Sequence, residues 1–189
     1  MHKFTIKLFL EDPKAITDAQ VVPLFHTWIQ GHLLADHGLI DVADYAHVHH
    51  GPGVVLVSHE ANIYLDHQDG RSGLVYQRKQ PIAGAATLAE GIAGAVRYAL
   101  AAAQQLEAST DGRAKFGTGE VSVKIADRLN APNTPETFAA VRGAIDSGLT
   151  PLLGAVTLKH NADPAKLFEV TVTSTGGKTV GDLLQTAAV

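Results

Sequence analysis

The sequence predicts an α+β fold: two successive strand-helix-strand-strand(-strand)-helix pseudo-repeats that form a mainly antiparallel sheet with helices packed on one face. Three observations lead there. Apolar and polar residues alternate in several short stretches, the period of half-buried strands. Two longer segments begin with helix caps and carry apolar residues at helical spacing. The same order of elements then recurs on either side of a polar, glycine-containing stretch, Ser109 to Gly119. This gives an N-terminal half at 1–109 and a C-terminal half at 119–189, together one compact unit.

On the first strand Phe4, Ile6, Leu8 and Leu10 share one face and Lys3, Thr5 and Lys7 the other, up to Glu11-Asp12-Pro13. Thr17 or Asp18 caps a first helix whose Val21, Leu24, Phe25, Trp28 and Ile29 form one side, with Pro23 early enough to be tolerated. A linker from Gly31 to Gly38, containing His32, Asp36 and His37, leads into the stretch Asp41 to Lys79. That stretch reads as three strands joined by turns at Gly51-Pro52-Gly53 and Asp69-Gly70. Thr87 and Glu90 make a capping box for a long helix, with Leu88, Ile92, Val96, Leu100, Ala103 and Leu106 along one side. Its alanines, with Gly91 and Gly94, predict close packing against a neighbour.

In the second half Val121, Val123 and Ile125 mark a strand. Thr134-Pro135-Glu136 then starts a helix that buries Phe138, Val141 and Ile145. Val156-Leu158-His160 and Phe168-Val170-Val172 mark two more strands, and a short helix from about Val180 to Ala187 closes the chain.

With 189 residues, 46% of them hydrophobic, the chain can bury a core without a metal or disulfide staple. The absence of cysteine excludes disulfides, thiolate nucleophiles, iron–sulfur clusters and cysteine-ligated zinc. A net charge of −4, scattered basic residues and few aromatics argue against a nucleic-acid partner, and no run reaches the length of a membrane span. The alternating start, His2-Lys3-Phe4-Thr5-Ile6-Lys7-Leu8, reads as a strand rather than a signal peptide and so predicts a cytoplasmic protein.

The unusual chemistry lies in the stretch from Asp41 to Lys79, which holds five of the ten histidines. His47, His49, His50, His59 and Glu60 fall within fourteen residues, and imidazole and carboxylate donors without cysteine suit zinc, iron, nickel or manganese. A regular strand from Asp41 onward would put Tyr45, His47 and His49 on one face. On the next strand His59 would face with Val55, Val57, Ala61 and Ile63, and Glu60 the opposite way with Ser58 and Tyr64. The metal candidates are therefore His47, His49, His59 and Glu60. The competing readings are solvated turn residues for His49 and His50, a buried neutral imidazole for His59, and a solvent-facing carboxylate for Glu60. Tyr45, Arg71, Tyr76 and Arg78 are the candidates for a ligand's carboxylate or phosphate group. Tyr76 and Arg78 alternate with Leu74, so that face must change from apolar to polar along the strand. No Gly-x-Ser-x-Gly, His-Glu-x-x-His, P-loop or dinucleotide fingerprint is present.

The strings FHTWIQ (25–30), LIDVADYAHVHHGPGVVLVSHEANIYLD (39–66), GRSGLVYQRK (70–79) and APNTPETF (131–138) resemble an uncharacterised family of bacterial proteins of about this length. The resemblance implies a bacterial, cytoplasmic protein and assigns no catalytic residues. The paired strand-helix-strand modules also resemble the architecture of the vicinal-oxygen-chelate metalloenzymes, whose ligand spacing this chain does not reproduce.

Two functions are compatible with these residues. One is a small-ligand- or metal-binding protein with a His/Glu site on the 41–79 stretch, whether or not it is an enzyme. The other is a non-catalytic accessory or assembly module that binds a protein partner or forms a homodimer, its two copies meeting through the alanine-rich helix.

Overall fold

The computed structural model of the chain describes residues 1–48 and 51–187. Strand β1 (Phe4–Leu10) leads to helix α1 (Asp18–Gln30), followed by β2 (Leu39–Asp44), β3 (Val54–Ser58), β4 (Ala61–Asp66), β5 (Gly73–Arg78) and helix α2 (Leu88–Ser109). The second half runs β6 (Phe116–Ile125), α3 (Pro135–Leu153), β7 (Val156–His160), β8 (Phe168–Ser174) and α4 (Val180–Ala187). The strands form one antiparallel sheet in the order β2-β3-β4-β5-β1-β6-β8-β7.

The two halves meet in the middle of that sheet, where β1 pairs with β6 from Phe4↔Ile125 to Leu8↔Val121. Each half follows the same plan. Its first strand is central, the strand after its first helix lies at the sheet edge (β2, β7), and its last strand returns beside the first (β5, β8). The N-terminal half carries one extra hairpin. β6 begins at Phe116, inside the stretch that reads as a boundary in the sequence.

Register explains the core. Leu56, Ile63, Tyr76, Ile6, Val123 and Val170 line up across six neighbouring strands and face the helices. Val21, Phe25 and Trp28 of α1, Val141 and Ile145 of α3 and Leu183 of α4 pack into the same layer. The opposite row, Tyr64, Val75, Lys7, Ser122, Thr171 and Lys159, carries no helix and is largely polar.

Helix α2 packs on β1 and β5 and lies beside α3 and α4. Gly91 faces the Phe4 ring and Gly94 the Ile82 side chain, close enough that an added Cβ would sit 3.0 and 2.9 Å away. Its small residues, from Gly91 to Val96 and at Ala99, Ala102 and Ala103, are buried within the chain. The close packing expected from its alanines and glycines is thus made within the chain, against the sheet and its neighbours. Among the described residues no helix is long and apolar enough to cross a membrane.

The histidine-rich stretch departs from the sequence reading in two ways. It contains four strands rather than three, because the chain reverses at His59-Glu60 between β3 and β4. The buried Ser58 hydroxyl donates to the Ala61 carbonyl (2.6 Å) and accepts from the Ala61 amide (2.9 Å), closing the turn. Val55 and Ile63 therefore belong to opposite faces of the sheet, and the apparently continuous apolar alternation joins two strands. The second departure is that β2 stops at Asp44, whose carboxylate accepts the Ala46 amide at 2.8 Å and turns the chain. Tyr45 and His47 thus lie in a turn and do not share a strand face; His49 and His50 are outside the described residues.

Candidate functional site

Arg78 ends β5 on its helix-facing side, two residues beyond Tyr76 and four beyond Leu74, so this face does change from apolar to polar. The guanidinium is buried and almost saturated. Its Nε donates to the Gln80 carbonyl at 2.7 Å, and Nη2 donates to the Glu60 carboxylate at 2.6 Å and the Pro81 carbonyl at 3.0 Å. Nη1 donates to the Tyr76 hydroxyl at 3.2 Å.

The Tyr76 hydroxyl in turn lies 3.1 Å from Nε2 of His37. A guanidinium can only donate, so Tyr76 accepts from Arg78 and is free to donate its own proton to His37 Nε2. That direction places the imidazole proton on Nδ1, a buried atom without a hydrogen-bond partner of normal geometry. The result is a directed chain, Glu60–Arg78–Tyr76–His37. Tyr98 of α2 packs against it, its ring stacked on Tyr76 (6.0 Å between centroids) and edge-on to His37 (4.7 Å).

His37 reaches this position because the segment after α1 turns tightly. His32 and Leu34 adopt left-handed backbone angles, a 3₁₀ turn spans Ala35–His37, and Gly38 is left-handed again (φ 55°). The imidazole is 2% exposed. Burial, and next the positive charge of Arg78, hold its pKa below the ordinary 6.5, against weaker opposing effects of Asp36, the Leu34 carbonyl and Glu60. Burial likewise pushes the Tyr76 phenol up to about 12, although the Arg78 hydrogen bond and charge pull the other way.

Above this chain lies an open cleft of about 440 Å³, lined by Asp36, His37, Gly38, His59, Glu60 and Gln80. Four sequence candidates thus converge on one region: His59 and Glu60 line the cleft, and Tyr76 and Arg78 lie buried beneath that lining, bonded to His37 and Glu60. His37 and Tyr98 complete it and carried no periodic signal. A histidine beside a glycine in a linker and a lone tyrosine in an alanine-rich helix were the only hints.

The other candidates lie elsewhere. Tyr45 borders a separate cleft of about 500 Å³ with Asp18, Gly53 and His67, whose imidazole is already held by Ser72 (2.8 Å) and Asp18 (3.3 Å). Arg71 lies across the Phe9 ring at 3.7 Å, on the helix-free side, and pairs with Glu120 at 2.7 Å. His47 is exposed in its turn, and His49 lies outside the described residues. Among the described residues no group of three or more histidine or acidic side chains is placed to hold a metal ion.

Comparison with protein-family models, with curated proteins and with solved structures finds no match to this chain.

Proposed function

We propose that the chain binds a small polar organic ligand in the cleft over the Glu60–Arg78–Tyr76–His37 chain, and that the ligand carries hydrogen-bond donors, as an amine or a hydroxylated molecule does. One observation carries this reading. Arg78, with a side chain only 5% exposed, is buried beneath a carboxylate that remains one third exposed at the cleft rim. A buried cation engaged on four acceptors is costly to desolvate, and here it fixes the position of Glu60.

The chemistry of the lining follows. Asp36 and Glu60 offer carboxylate oxygens, the imidazoles of His37 and His59 stand beside them, and among the described residues no lysine or arginine lines the cleft. Donor-bearing ligands therefore match it and anions do not.

The test is an amide NMR titration of ¹⁵N-labelled protein with ethanolamine and glucose on one side and acetate and malonate on the other. Ethanolamine or glucose should shift the Gly38, His59 and Glu60 amides, and Glu60→Gln should remove the response. Shifts produced there by the anions instead, or no response from any of the four probes, would overturn the proposal.

A further inference from the structure

The face of the sheet turned away from the helices holds a hollow of about 470 Å³, the size of a small-molecule site. It spans β1, β6, β8 and β7, since Lys7, Ser122, Thr171 and Lys159 occupy one register row. Four strands at the usual spacing make it about 14 Å wide.

Its charges are unevenly satisfied. Five cationic side chains line it, Lys7, Arg71, Lys124, Lys159 and Lys166, against four carboxylates. Every carboxylate is engaged. Asp66 accepts from Lys7 at 2.7 Å, Glu120 from Arg71 at 2.7 Å, Glu169 from the Ser122 hydroxyl at 2.7 Å, and Asp163 from the Ala165 amide at 3.0 Å. The cations are not matched in the same way. Lys124 only approaches Glu169, at 3.7 Å, and among the described residues Lys159 and Lys166 have no acidic partner within 4.0 Å.

Around these cations the lining is hydroxyl and amide: Ser122, Thr171 and Asn161, whose amide donates to Thr171 at 3.0 Å. Phe9 is the one large apolar group there, and the Arg71 guanidinium covers its ring.

We propose that this hollow is a second binding site, for a hydroxylated small molecule bearing a phosphate or carboxylate group, with the anionic group held by Lys124, Lys159 and Lys166. The hydroxyls of the ligand meet Ser122, Thr171 and Asn161. The site is on the opposite side of the sheet from the His37 cleft and does not depend on the function assigned to that cleft.

Isothermal titration with glucose 6-phosphate, glucose and inorganic phosphate tests it. The expected result is saturable binding of glucose 6-phosphate in the millimolar range or tighter, at least about tenfold stronger than either half. Replacing two exposed lysines, in Lys159→Gln/Lys166→Gln, should weaken it by about tenfold or more while leaving the thermal midpoint near wild type, and added salt should weaken it further. A carboxylate in place of the phosphate, tested with gluconate, shows which anionic group is preferred, and binding of either supports the site. Equal binding of inorganic phosphate and glucose 6-phosphate would reduce the hollow to a patch of surface lysines. Failure of both glucose 6-phosphate and gluconate to bind, or an unaltered affinity in the double variant, would also overturn the proposal.

Discussion

Arg78 Nη1 donates to the Tyr76 hydroxyl across 3.2 Å, two residues apart on one strand face, and that contact sets the direction of the hydrogen bonds beneath the cleft. With the guanidinium as donor, the phenol proton is directed to His37 and the imidazole proton to Nδ1. A charge at the rim is thereby coupled, through a phenol, to a titratable group in the interior.

Breaking the chain at different points should cost different amounts. Arg78→Met fills the volume but removes the donor from two carbonyls, a carboxylate and a phenol, and should lower stability by about 3 kcal/mol. Tyr76→Phe keeps the stacking on Tyr98 and loses only the hydroxyl, at about 1–2 kcal/mol. Glu60→Gln, whose side chain is one third exposed, should cost about 1 kcal/mol or less. Urea unfolding of the three variants checks the order. Equal losses for Glu60→Gln and Arg78→Met would mean that the ion pair alone, rather than the chain, stabilises this corner.

Much of the architecture was legible because local signals agree with the fold. The Thr87/Glu90 box and the Thr134-Pro135 start cap α2 and α3 where expected, and the alternation of Phe4, Ile6, Leu8 and Leu10 faces the core. The reversal at His59-Glu60 was not legible. Its turn is closed by the Ser58 side chain, with no glycine, proline or asparagine to mark it, and the alternation continues through it. The candidate site divides in the same way. Tyr76 and Arg78 stand out as polar groups that continue an apolar strand face, and Glu60 as the carboxylate of the histidine-rich stretch. His37 is brought in only by left-handed backbone at Leu34 and Gly38, which has no periodic signature.

The Ser58 clamp predicts a distinct defect. Ser58→Ala leaves the buried Ala61 amide and carbonyl without their hydroxyl partner and should cost about 1–3 kcal/mol. The loss should appear locally as faster hydrogen exchange at Ala61 and at the His59 amide, which is bonded to the Gly38 carbonyl at 3.2 Å. Unchanged exchange at both positions would show that the β3–β4 strand pairing alone holds the turn.

Two glycines of α3 should respond oppositely to alanine. At Gly148 a Cβ would sit 2.5 Å from the Ala89 carbonyl oxygen, so Gly148→Ala must push α3 away from α2, at about 1–3 kcal/mol. At Gly143 nothing lies within 4 Å, and Gly143→Ala should gain about 0.5–1 kcal/mol from helix propensity. Thermal unfolding of the pair isolates packing from propensity, and stabilisation by both substitutions would contradict the close α2–α3 approach.

His37 predicts the pH dependence. Its pKa in the folded chain is held below 6.5, first by burial and then by Arg78. Between that lowered value and 6.5 the unfolded chain binds a proton that the folded chain does not, so stability rises with pH through this window and falls on acidification. The contribution is complete above the unfolded value and is lost as pH drops towards the folded one. In His37→Gln the amide oxygen can still accept from the Tyr76 hydroxyl, but no proton binds there. The variant should be less stable than wild type at about pH 7.5 and should lose less stability than wild type on going to about pH 5.5, so the two converge. The remaining histidines contribute equally to both proteins and cancel in the difference. Urea midpoints at several pH values test this, together with ¹³C NMR titration of the His37 ring, whose midpoint should lie below 6.5. Parallel pH profiles for the two proteins would remove His37 as the titrating group in the cleft floor.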